Sequence, residues 1–237
     1  HAYDEVTHTR KVTFVKGKKF FIVSDYLQPI DSQTVNHYNQ TWHTDTSGWW
    51  SIDDPATGAA KTNYATGANV LMVPVSPENL TSASLDMNPM EEQHLSYKIE
   101  TSGNAKFNTI VYPFENEVGE VSVREVTVTD NADQSASAFE LVLPDKNRAV
   151  YYVNYNTNVV HGFSDYDADA AAFYMERDTE GNPDNLAASE VKSVTQNGET
   201  LLQSNRTLSD VSIVYGSGTV EVSAPDTVDL SKDYIAF

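Results

Sequence analysis

Cysteine is absent from this chain of 237 residues. That excludes disulfides and thiolate chemistry and leaves histidine, carboxylate and backbone oxygen as the donors for any bound metal. Basic side chains are scarce. Fifteen Lys and Arg stand against 34 Asp and Glu, a formal net charge of −19. Such a field repels nucleic acid, anionic membranes and polyanionic sugars at long range, so neither nucleic acid nor a membrane surface is an expected partner. No apolar run approaches the roughly 20 residues that a bilayer-spanning helix needs. Helical periodicity is nearly missing as well, while Tyr, Phe and Trp number 13, 9 and 3. Aromatic abundance without helical spacing favours an all-β chain.

What is present is organised around the stretch from His8 to His43. Two strand-like runs, Lys11–Lys16 and Lys19–Ser24, flank Gly17-Lys18. Val12, Phe14 and Lys16 alternate with Lys11, Thr13 and Val15, as a strand requires. Asp25 is read as closing the second run, followed by a turn over Gln28-Pro29-Ile30-Asp31 and a third extended run through His37 to Trp42-His43. Hairpin geometry brings the ends of neighbouring strands side by side. His8 is thus expected next to Asp25, with His43 delivered by the third strand. Two imidazoles and a carboxylate on one sheet face point to a zinc site. His37 lies six residues before His43 and shares its face, so alternation alone does not choose between them.

Downstream, buried-strand or alternating runs are expected at Ala68–Val75, Leu95–Thr101, Lys106–Pro113, Glu120–Thr129, Ser137–Leu143, Ala149–Tyr155, Val159–Phe163 and Ala170–Glu176. Ser76–Gln93 is polar, carries two prolines and is read as a long loop. Asp178–Gly181 forms a turn, and Asn197-Gly198, between Leu186–Gln196 and Glu199–Gln203, is the strongest hairpin signal in the chain. The C-terminal part is read as short strands over Val211–Tyr215, Gly218–Ser223 and Tyr234–Phe237. With no repeat and no low-complexity linker, residues 1–237 read as one domain, and many short strands with polar turns make it a sandwich or a barrel. The abrupt opening, which steps almost at once into a strand, leads us to expect a C-terminal fragment of a longer polypeptide.

The run "THTRKVTFVKGKKFFIVSDYL", then "WH", "FNTIVYPF" and "YYVNYNT…DADAAAFYMERDTEGN" resembles the C-terminal β-sandwich of heparinase II/III-like polysaccharide lyases. The likeness extends over nearly the whole chain. It is most specific in its first part: His-x-Arg, a strand, a turn, a strand ending Val-Ser-Asp, then an aromatic-His pair. It implies an all-β fold, a large antiparallel two-sheet β-sandwich over residues 1–237, and a parent enzyme that joins an N-terminal (α/α) toroid to this sandwich and cleaves uronic-acid polysaccharides by β-elimination. The toroid would bring the catalytic tyrosine and most of the groove for an acidic polysaccharide. The resemblance places a structural zinc on His8, Asp25 and His43. Some members carry a catalytic His two residues before the first ligand. Val6 occupies that position here, so no catalytic residue carries over, and the isolated domain is expected to be inactive. A bacterial secreted, periplasmic or cell-surface location goes with this resemblance.

Three further side chains are candidates for contact with a glycan. Arg10 shares the face of His8 and either pairs with Asp25 or clamps a substrate carboxylate. Trp49 and Trp50 are adjacent, so one strand cannot bury both, and the outward one offers a stacking platform. This supports a second reading, a non-catalytic glycan-binding or interaction module. Asp165, Asp167 and Asp169 match the start of a calcium loop, but Ala follows where such a loop needs Gly and a distal Glu.

Overall fold

A computed structural model describes residues 5–45, 49–88, 92–156, 159–216 and 219–224, the backbone alone of 235–236, and Pro77 without its side chain. Ser47-Gly48 reads as a turn signal in the sequence but lies outside these residues. The chain divides into two compact units, His1–Gly119 and Glu120–Phe237, where the sequence offers no linker and reads as one domain. Their boundary falls at the end of the Glu-rich turn after "FNTIVYPF". Every strand pair among the described residues is antiparallel, and the only helical element is a single 3-10 turn at Pro77–Asn79. The fold is all-β and sandwich-like, as its composition requires.

The first unit contains β1 (Val6–Val15), β2 (Phe20–Pro29), β3 (Asn36–His43), β4 (Trp50–Asp54), β5 (Ala59–Thr62), β6 (Asn69–Pro74), β7 (Ser82–Met87), β8 (Gln93–Thr101) and β9 (Ala105–Phe114). Six of them form one sheet in the order β1-β2-β9-β6-β5-β4, and three form another, β3-β8-β7. Leu27, Phe107 and Met72 from the first sheet pack with Tyr38, Leu95, Tyr97 and Ile99 from the second in a single apolar cluster. The hairpin between β1 and β2 turns over Lys16–Lys19, where Lys19 takes a positive φ of 57° and donates its backbone N–H to Val15 O at 2.8 Å.

Two details of this unit differ from the sequence reading. β2 does not stop at Asp25 but runs on to Pro29, because Tyr26 and Leu27 are buried and extend the strand's apolar load on both faces. Asp25 therefore sits in mid-strand, deep in the sheet. The polar stretch Ser76–Gln93 is not one long loop. It contains β7, an edge strand paired only to β8, and an edge strand with a solvated face tolerates Ser and Asp where a central strand would not.

The second unit holds β10 (Ser122–Val126), β11 (Ala136–Val142), β12 (Arg148–Asn154), β13 (His161–Phe163), β14 (Tyr166–Asp169), β15 (Ala172–Arg177), β16 (Pro183–Gln196), β17 (Glu199–Gly216), β18 (Thr219–Ser223) and β19 (Ile235–Ala236). The main path runs β10-β11-β12-β15-β16-β14-β13, with β17 alongside β16. The pairing of β16 with β17 shifts register between Val191 and Ser193 and between Val194 and Thr195, where the extra residues lie on β17. The first half of β16 pairs β15 and its second half pairs β14. The turn at Asn197-Gly198, with φ of 51° and 80°, is of the twisted kind that such hairpins prefer. β17 is one continuous strand of 18 residues rather than a break followed by a short strand. Leu202, Ser204, Leu208, Val211 and Ile213 are buried along it.

The two ends of that strand order meet. Val128, just after β10, bridges Phe163 in β13, and the Thr129 N–H donates to Gly162 O at 2.8 Å. A single bridge thus ties the β10 end of that order to β13. It also brings the chains so close that a Cβ at Gly162 would lie 2.7 Å from Thr129 Oγ1 and 3.0 Å from Asp167 Oδ1. Gly162→Ala is therefore expected to destabilise the protein by about 1–3 kcal/mol, read as a lower urea midpoint at unchanged slope. A midpoint equal to that of the unaltered protein would mean that the seam has slack.

Candidate functional site

Register fixes the centre of the site. Arg10 in β1 stands directly opposite Asp25 in β2, and His8, two residues earlier, faces Leu27 on the same side. Arg10 donates through Nε to Asp25 Oδ1 at 2.7 Å and through Nη2 to Oδ2 at 2.8 Å, a bidentate pair of the strong kind. His8 Nε2 lies 2.7 Å from the same Oδ1. From β3 of the other sheet, Gln40 Nε2 donates to Oδ2 at 2.7 Å. The carboxylate therefore has four nitrogen partners, two on each oxygen.

Gln40 is held in turn. Its Oε1 accepts from Thr109 Oγ1 of β9 at 2.8 Å and from Trp42 Nε1 at 3.2 Å. This orients the amide with its nitrogen toward Asp25. Asp25, Gln40 and Thr109 are 2%, 3% and 1% exposed, whereas the side chains of His8 and Arg10 are 30% and 47% exposed. The network therefore runs from the apolar interface between the two sheets out to the β1 edge. Burial pushes the Asp25 carboxyl up, but hydrogen bonds from Arg10, His8 and Gln40 outweigh it and hold the group below the usual carboxylate range.

Of the expected zinc ligands, the structure brings His8 and Asp25 together and sets His43 apart from them. Along β3, Tyr38 and Gln40 are buried and Trp42 half-buried, while His37, Asn39, Thr41 and His43 are exposed. The odd-numbered face points away from Asp25. His43 lies opposite His94 of β8, with ring centroids 5.4 Å apart, and His37 pairs with Glu100 at 3.2 Å. The β3 side chain that reaches Asp25 is Gln40. Among the described residues no group of three His, Cys, Asp or Glu is placed to hold a metal. As placed, Asp25 is held in a hydrogen-bonded ion pair: the guanidinium neutralises the carboxylate, and nitrogen partners stand on both of its oxygens.

The tryptophans separate. Trp50 is 6% exposed within the core of the first unit, whereas Trp49 is 49% exposed and its backbone N–H donates to Asn63 Oδ1 at 3.0 Å. Gln40 and Thr109 are the participants that sequence reasoning overlooked. Gln40 did leave a signal: it alternates with Tyr38 and Trp42, and an amide on an apolar strand face must find a buried partner.

No family model matches this sequence, and no curated protein matches it.

Proposed function

We propose that this chain is the β-sandwich part of a heparinase II/III-like polysaccharide lyase, a non-catalytic wall that stands beside an (α/α) toroid in an extracytoplasmic enzyme. The observation that carries this reading is that the residues of its most specific motif, His8-x-Arg10 and Asp25, close into one network. Asp25 and Gln40 anchor that network in the sheet interface, and its outer end exposes an imidazole and a guanidinium on an edge strand. Those two groups suit a uronate carboxylate or a neighbouring polypeptide segment. Zinc belongs to the same family reading. On this chain it would require His43 to exchange faces with Gln40, so the ion pair is the form we assign to the site.

The exposure of Trp49 beside a buried Trp50 favours, as a second reading, a glycan-binding module with Trp49 as its platform. Two assays with heparan sulfate, alginate and hyaluronan separate the readings. The lyase-wall reading expects no unsaturated uronate, followed by ultraviolet absorbance, from the chain alone. It expects product when the chain is covalently joined to its toroid, with a roughly tenfold or greater loss on Arg10→Ala. Turnover by the chain alone would overturn it. Retardation in glycan-containing gels that disappears with Trp49→Ala would replace it with the module.

A further inference from the structure

The hairpin of β1 and β2 carries an apolar patch open to solvent. Val12 and Phe14 of β1 are 58% and 50% exposed, and among the described residues no other strand exposes two large apolar side chains on one face. They stand opposite Val23 and Phe21 of β2, and the Phe14 ring stacks on Phe21 at 4.6 Å. On this same face Leu27 packs with the second sheet. That sheet has three strands against six, and its cover ends short of the hairpin tip. Leu27, Asp25 and Val23 are buried, Phe21 is half-buried, and Phe14 opposite it is open.

Charge around the patch is opposite in sign to that of the chain as a whole. Residues 6–24 contain Arg10, Lys11, Lys16, Lys18 and Lys19, five of the fifteen basic side chains, and none of the 34 Asp and Glu. Arg10 is neutralised by Asp25, whereas Lys16 and Lys19 are exposed at the turn that follows Phe14. Lysines at a hairpin tip are ordinary on their own, and edge lysines oppose pairing with another basic edge. Next to an open aromatic and an open valine, they select a partner that is both apolar and acidic. The net negative field of the chain repels long polyanions. A segment with only a few carboxylates meets the local basic potential within a Debye length of roughly 8 Å.

We propose that this patch is a docking surface for an extended acidic polypeptide segment whose apolar side chains alternate with Asp and Glu. Val12 and Phe14 are two residues apart on one strand face, a repeat of about 6–7 Å that alternate side chains of an extended segment reproduce. The segment's apolar residues cover Val12, Phe14 and Phe21, and its carboxylates meet Lys16 and Lys19. A second copy of this chain is the poorer occupant, because two such hairpins laid together set basic side chains against each other. The surface does not rest on the lyase reading.

The test uses the full chain and fluorescence anisotropy with a labelled peptide in which Val and Phe alternate with Asp and Glu. Two control peptides carry Lys in place of every acid, or Ser in place of every apolar residue. The first peptide is expected to bind saturably and less tightly at high salt, and each control to bind more weakly by roughly tenfold or more. Phe14→Ala and the double variant Lys16→Glu/Lys19→Glu are each expected to weaken binding by roughly tenfold. Val220→Ala, which truncates an exposed apolar side chain on β18, is expected to leave it unchanged. Urea midpoints verify that every variant is folded. Absence of binding, equal binding of either control peptide, or binding that survives both hairpin variants overturns the surface. Dimerisation of the unaltered chain that Phe14→Ala abolishes also overturns it and gives the patch to a second copy. Retention on heparan sulfate that Lys16→Glu/Lys19→Glu abolishes, without binding of the peptide, overturns it in favour of a polyanionic glycan.

Discussion

Asp25→Asn is expected to lower the stability of the protein by about 2–4 kcal/mol, although it removes no volume. The substitution replaces two acceptor oxygens by one acceptor and an amide that donates. Three donor side chains, Arg10, His8 and Gln40, converge on that carboxylate. With Asn in place at least one of them meets another donor. Arg10 and His8 are partly exposed and recover water, which keeps the cost below that of a fully buried ion pair. Gln40 has no such recourse, because it is 3% exposed and its oxygen is committed to Thr109 and Trp42. Equilibrium urea unfolding measures the loss, and a change within about 0.5 kcal/mol would mean that the network contributes only geometry.

The same residue makes stability depend on pH in a defined direction. Its folded pKa lies below the ordinary value of an aspartate side chain, so the folded state holds the ionised form more tightly than the unfolded chain does. The resulting stabilisation is fully present above the unfolded value and is lost as pH falls from about 5 through the folded pKa. Urea midpoints of the unaltered protein are expected to drop over that acid range. Asp25→Asn is expected to lack this part of the slope and to converge on the parent protein at low pH.

Phe163→Ala is expected to have a still larger effect, about 3–5 kcal/mol. Phe163 is 2% exposed at the closing seam of the second unit. Its ring stacks on Tyr152 at 4.5 Å with an interplanar angle of 2°, and the rings of Tyr166 and Phe173 lie 5.9 and 6.0 Å away. Truncation removes a whole ring from the middle of four aromatics and leaves a cavity that rigid neighbours cannot fill. Phe14 provides the control. It also stacks, on Phe21 at 4.6 Å, but is 50% exposed. Phe14→Ala should therefore cost about 1 kcal/mol or less. Equal losses for the two would show that the seam relaxes around a missing ring.

The sequence by itself determined the class of fold and the local geometry. Alternation in β1, the Asn197-Gly198 and Asp178–Gly181 turns and the lack of helical spacing all read correctly, because each depends on residues within one or two strands. The nearness of His8, Arg10 and Asp25 was legible for the same reason: a short hairpin leaves few registers, and it sets the ends of its two strands side by side.

Only the tertiary structure decided which sheet β3 joins and which of its faces meets Asp25. One residue of parity exchanged Gln40 for His43 there, since side chains alternate with a period of two. It also turned Ser82–Met87 into a strand and joined Val128 to Phe163 across 35 residues of sequence. Those outcomes depend on burial against distant partners. A strand's own residues show which side chains share a face, and the partner decides which face is covered.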